Sequence, residues 1–241
     1  MYLFHHLAYF IPYKYRLWHF ISLLFVSYLL TVQKVPAQEN GNKNSFKELD
    51  RWYEVFLGES KVGYSHSTMK LEKGEVISKS TFVMSVRRAG VVIQIKSMES
   101  TVELLSGEII SFSGEMEMAG VPITKNGWVQ GNEIVIKEKQ FFRENEMRYP
   151  LDPEGKMTWG LMKALRENNF KEKGRKFETK LYSADFGMAS PTKAKIKTMG
   201  ETEILLSGQN KKVFKTDISM STSVGTIKTE NWLDSWGFAV K

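Results

Sequence analysis

The sequence predicts a mainly β fold, an antiparallel meander curled into a half-barrel or barrel-like sheet with one short helix. Three observations carry this. Apolar residues alternate at period two through most of the chain, glycine-bearing turns interrupt the alternation at short intervals, and only one stretch shows helical spacing.

The opening hairpin sets the plan. Two β-prone runs, Trp52 to Leu57 and Val62 to Thr68, flank Gly58-Glu59-Ser60-Lys61, whose glycine can take the positive φ a tight turn needs. Glu75 to Arg87 places Val76, Ser80, Phe82, Met84 and Val86 on one face and Lys79, Thr81 and Ser85 on the other, the pattern of a half-buried strand. Arg87-Arg88-Ala89-Gly90 turns into Val91 to Glu103, and Ser106-Gly107 turns into Ile109 to Met118. Beyond Ala119-Gly120 comes a short strand from Ile123 to Lys125. Asn126-Gly127 is a strong turn dipeptide, after which Trp128-Val129 and Ile134-Val135-Ile136 flank Gly131-Asn132.

One interruption follows. After Asp152-Pro153-Glu154-Gly155, the stretch Met157 to Asn169 sets Leu161, Leu165, Met162 and Trp159 at helical spacing, which predicts an amphipathic helix packed on or plugging the sheet. Strands then resume at Phe177 to Tyr182, Ala194 to Thr198, Glu203 to Leu206, Val213 to Met220 and Val224 to Trp232.

Before the domain lies a leader. Lys14 and Arg16 precede a charge-free run from Leu17 to Gln33, and Val35-Pro36-Ala37 offers the small residues of a cleavage site. Residues 1–37 therefore read as a signal peptide cut between Ala37 and Gln38, with an uncleaved membrane anchor as the rival reading. Residues 38–50 open on the polar run Q-E-N-G-N-K-N-S and form a linker, and residues 51–241 form the β domain. The expected location is the periplasm or the exterior, with contact to a membrane only through the leader if it stays attached.

Composition narrows the function classes. The 241 residues carry a net charge of +7, three units of it before residue 38, and the remaining Lys and Arg are interleaved with Glu. No phosphate-binding stripe is expected, and so no nucleic acid partner. The zero cysteine count removes thiol catalysis, disulfides and thiolate metal sites. His66 is the only histidine after the leader, so a metal site of several imidazoles is excluded, and it reads as a polar-face strand residue beside Tyr64. Ser67-Thr68-Met69-Lys70 matches S-x-x-K, but in a strand residues three apart point to opposite faces. Glu103 with Glu115 or Glu117 offers paired carboxylates, yet glutamates alternating opposite lysines are expected to be ionised and solvated. No catalytic, cofactor-binding or metal-binding residue is assigned, and no cofactor is expected. Met84, Met98, Met116, Met118 and Met220 fall on apolar strand faces, where they fill a core or line a cavity for a hydrophobic small molecule.

Trp52-Tyr53, Lys61-Val62-Gly63-Tyr64-Ser65-His66, Arg88-Ala89-Gly90, Ser106-Gly107-Glu108 with Phe112, and the closing Trp232-Leu233-Asp234 with Gly237 occur in that order. In this order residues 51–241 resemble the β-rich N-terminal region of exported bacterial transglutaminase-like proteins, and their later half is similar to the DUF3108-type periplasmic β domains. The resemblance implies an extracytoplasmic half-barrel module. Transglutaminase-like proteins continue into a Cys-His-Asp domain; with no cysteine here, no catalytic residue carries over. The expected function is thus a non-catalytic binding or accessory module acting on an unknown protein or envelope partner. The alternatives are a carrier of a lipid-like ligand and, more weakly, a hydrolase.

Overall fold

The computed structural model describes residues 46–240, apart from 89–90, 119, 184–186, 207 and 223–224. The proposed cleavage site at Ala37 and Gln38 lies outside the described residues. Eight strands, β1 (Leu49–Leu57), β2 (Ser60–Glu72), β3 (Glu75–Arg88), β4 (Val91–Leu104), β5 (Ile109–Met118), β6 (Val121–Gln130), β7 (Glu133–Gln140) and β8 (Arg143–Pro150), pair in chain order as an antiparallel sheet. A second sheet has the order β13 (Gly225–Leu233), β12 (Gln209–Thr222), β11 (Gly187–Leu206), β10 (Lys176–Ser183) and β9 (Gly155–Lys156). Among the described strands, only β9, beside β10, is parallel to its neighbour. The fold is mainly β: among the described residues, two open sheets have one helix, α1 (Thr158–Glu167), packed between them.

The large sheet follows the period-two pattern. Val76, Phe82, Met84, Ile95, Phe112, Met116, Ile134 and Ile136 are buried on its inner face, while Lys79, Lys137 and Arg148 point outward. A bulge between Val55 and Phe56 bends β1 against β2. There Gly63 is required by space: a Cβ would lie 1.9 Å from the Val83 carbonyl oxygen and 2.9 Å from the Met84 Cα, both backbone atoms.

The helix joins the sheets through two sides of its surface. Trp159 packs with Met69, Val76, Phe238 and Phe46, its ring 5.4 Å from that of Phe46. Leu165 packs with Phe170, Ile196 and Leu233 of the small sheet side. Phe46 and Leu49 already belong to this packing, so ordered structure begins ahead of residue 51.

Several elements differ from the sequence expectation. Asn126-Gly127 lies inside β6 rather than in a turn, because the Phe112 ring occupies the space over Gly127, where a Cβ would come within 2.1 Å of it. The segments Ala194 to Thr198 and Glu203 to Leu206 belong to one strand of 20 residues, whose register slips between Thr198 and Gly200. β8 was not predicted: R-E-N-E-M-R-Y-P is mostly polar on both faces, as suits a strand at the end of a sheet. Met98, expected on the apolar face, sits opposite Thr81 and Glu115 on the outer face.

Candidate functional site

Strand register assembles a row of side chains that no local pattern displays. Arg51 of β1 lies opposite Ser67, Ser67 opposite Ser80, and Ser80 opposite Glu99. Glu99 then faces Gly114, Gly114 faces Lys125, Lys125 faces Glu138, and Glu138 faces Asn145. Each strand contributes one residue, and all eight point to the inner face, since each is two residues from a position with an inward neighbour. The belt is polar throughout except for Gly114. Its members from Arg51 to Glu138 are half-buried rather than sealed, so water reaches the inner face here.

Apolar clusters bound the belt on both sides. Toward the β1–β2 turn lie Val55, Phe82, Met84 and Ile95; toward the helix lie Met69, Val76, Phe112 and Ile136. Within the belt Ser67 and Ser80 hydroxyls are 3.5 Å apart, and the Lys125 Nζ is 3.6 Å from a Glu138 carboxylate oxygen. Arg51 donates to the Ala239 carbonyl at 2.9 Å and pairs with Asp234, which ties the belt's β1 end to the C-terminal segment. Beside it, Tyr53 donates to the same carbonyl at 3.1 Å, and burial pushes its hydroxyl up to about 12. Buried Ser65, Ser78 and Ser97 in the neighbouring rows widen the polar character of this trough.

The expected candidates are placed elsewhere. Glu103 is not solvated but fully buried, with no lysine beside it. Met157, ahead of α1, has no capping side chain; the Glu103 carboxylate does that work from β4. Its oxygens accept the Trp159 N–H at 2.7 Å and the Gly160 N–H at 2.8 Å, and Thr101 donates to it at 3.4 Å. Burial raises its carboxyl above the ordinary range, and these donors oppose the rise. Glu115 and Glu117 face outward, opposite Met98 and Lys96, so register separates them from Glu103 by the thickness of the sheet. His66 is on the outer face, its ring stacked at 4.1 Å on Trp52 and its Nε2 2.7 Å from Asp50. Ser67 and Lys70 point to opposite faces as expected, which disposes of the S-x-x-K motif. Among the described residues no group of three or more His, Asp or Glu could hold a metal ion.

No protein-family model matches the chain, and no curated protein does. Among solved structures the chain is similar to a β-barrel-like protein of the domain of unknown function DUF1849 from Brucella abortus, with a TM-score of 0.56 and 12% identity. The match covers 74% of this chain and 80% of that one. At this identity the likeness shows the fold, a barrel-like β architecture, and nothing of the site.

The outer face carries a second, shallower feature. Ser100, Ser111, Ser113, Asn126 and Trp128 line a recess of about 280 Å³ across β4, β5 and β6. The belt differs in presenting both charge signs on a concave wall, and sequence reasoning missed it because its members are spread from residue 51 to 145. The available signal was the recurrence of serine and charged residues at one inward position per strand.

Proposed function

We propose that the protein is an exported, non-catalytic binding module whose ligand lies along the inner polar belt. The observation that supports this is the belt itself. A half-barrel that needed only to fold would place apolar residues in that row, because interrupting a core with half-buried charges costs free energy unless they are paired or solvated. Here Glu99, Lys125 and Glu138 alternate in sign beside the Ser67 and Ser80 hydroxyls. Such a wall suits a polar ligand bearing both an amine and a carboxylate, such as a short peptide or an amino sugar, better than an acyl chain.

The non-catalytic part of the reading is supported by the fate of the candidate acids and bases. Glu103 is committed to the helix end, and His66 is on the far side of the sheet from the belt. The test is titration of the protein with a panel of short peptides and amino sugars, following amide chemical shifts and the thermal midpoint. Saturable shifts confined to β2 through β7, lost in Lys125→Met with the fold retained, are expected. Turnover of any of these compounds that disappears in His66→Ala would overturn the non-enzyme reading.

A further inference from the structure

The large sheet has two rims, and the rim away from α1 carries an unusual set of side chains. Val55, Gly63, Met84, Ile95 and Met118 lie in one row by register, and the β1–β2, β3–β4 and β5–β6 turns lie beyond it. The β7–β8 turn follows Gln140, which is opposite Ile123, and so belongs to the same rim. At these tips Phe142 is 103% exposed, Val91 62%, Phe141 61%, Val92 57% and Leu57 41%. Water is the wrong solvent for such fingertips, and folding alone does not place them there.

A backbone observation points the same way independently. Phe141 has φ +54°, in a two-residue turn whose equivalents are Gly58 and Gly131, both at +62°, at the β1–β2 and β6–β7 hairpins, and Lys73 at +52° in the β2–β3 turn of the opposite rim. A positive φ at that turn position favours glycine, and a bulky side chain there is strained. Two phenylalanines are thus held at a tip against hydration, and Phe141 against backbone preference as well. The Lys73 side chain can reach water from such a turn, whereas the exposed ring of Phe141 cannot be satisfied by it, so the pair of rings points to a contact surface.

The geometry selects the partner. The tips are separate fingers on successive hairpins, not a continuous groove, so a folded protein surface would have to match each one, whereas a fluid interface admits each separately. Lys61, Arg87, Lys139 and Arg143 are exposed beside them and outnumber the exposed tip acids Glu59 and Glu144. Cations flanking apolar tips complement anionic lipid headgroups. We propose that this rim docks on an anionic lipid bilayer, with Phe141, Phe142, Val91, Val92 and Leu57 entering the boundary between headgroups and acyl chains. This contact is separate from the leader, because β1 begins at the opposite rim and the tips lie a strand's length away. It is also independent of the ligand assigned to the belt.

The absence of native cysteine makes the test clean. An environment-sensitive fluorophore is attached to Phe142→Cys in the full chain, and a second preparation carries it at Asn132→Cys in the β6–β7 turn of the opposite rim. Both are mixed with phosphatidylglycerol–phosphatidylcholine vesicles containing a spin-labelled quencher lipid. The expected result is a blue shift and about twofold or greater quenching at 142, with neither at 132, as for insertion of about 5–10 Å. A label at Val91→Cys should respond likewise, and lose most of that response in a Phe141→Ser, Phe142→Ser background. Equal behaviour at 142 and 132 in vesicle-bound protein would overturn the proposal, since the leader alone would then hold the protein. A blue shift that grows with protein concentration in the absence of vesicles would also overturn it, by assigning the rim to a second copy of the chain.

Discussion

The two rims of the large sheet are built from the same antiparallel hairpins, yet one is largely covered, with Leu71, Leu104 and Leu105 still exposed at its edge, and the other is left bare. At the helix rim Glu103 holds the first N–H groups of α1, the Trp159 indole donates to the Leu105 carbonyl at 3.1 Å, and Gly107 would meet Gly160 at 3.2 Å through any Cβ. The C-terminal segment closes the same end. Asp234 accepts the Trp236 and Phe238 N–H groups, while Arg51 grips Asp234 and the Ala239 carbonyl. At the far rim, comparable apolar side chains face solvent. Sealing a rim therefore depends on more than apolar side chains: a covering helix brings orphaned backbone donors that must be met by a buried acceptor.

Removing that acceptor is the sharpest way to break the comparison. Glu103→Ala leaves the Trp159 and Gly160 N–H groups and the Thr101 hydroxyl without their acceptor, and at roughly 1–3 kcal/mol per orphaned buried group the loss should reach about 3 kcal/mol or more. Glu103→Gln fills the space but offers one acceptor oxygen for two N–H groups, so about 1–3 kcal/mol is expected. Urea unfolding measures both, and a loss under about 0.5 kcal/mol in the alanine variant would show that α1 does not depend on this carboxylate.

The glutamate also leaves a signature in pH. Its carboxyl is raised above the ordinary value of 4.5, so the folded chain holds this proton more tightly than the unfolded chain does. The contribution of the group to stability is then fully present below the unfolded value, declines as pH climbs through the raised folded value, and is flat above it. Wild-type stability relative to Glu103→Gln should accordingly fall with rising pH across that window and become constant beyond it. A difference that rises with pH would mean that the two N–H bonds outweigh burial.

The bare rim has its own support, and here the expected effects are smaller. Gly63→Val should cost about 1–3 kcal/mol, because Val83 and Met84 backbone atoms must move to admit a Cβ. An unchanged thermal midpoint would show that the β1–β2 bulge absorbs the side chain. Phe141→Asn should stabilise by about 0.5–1 kcal/mol, since asparagine tolerates the left-handed region better than phenylalanine. If it destabilises instead, Phe141 makes a packing contribution to the fold and its strain has a structural cause.

Much of this sheet was legible one strand at a time. The faces of β3 follow from alternation, the turn at Gly58 from its glycine, and the close approach at Gly63 from a glycine set within a strand. The helix was legible from Trp159, Leu161, Met162 and Leu165 within a residue or two of its ends. Glu103 was not, because what decides its role is a helix end 56 residues further along the chain, and a glutamate that alternates with apolar neighbours looks the same whether water or a backbone N–H meets it. Asn126-Gly127 misled for a related reason: its turn chemistry is real, but the Phe112 ring needs that glycine inside a strand.

By itself the sequence determined what the pleat and the turns determine: the β class, the helix after Met157 and which residues of a strand share a face. These follow from a period of two residues and from the φ that a turn residue will accept, both local properties of the chain. Only the tertiary structure decided which residues stand side by side across strands. The polar belt from Arg51 to Asn145 and the apolar rim from Leu57 to Phe142 run perpendicular to the chain direction. Their membership depends on the register of every intervening hairpin, where a slip of one residue in any strand would exchange the inner face for the outer.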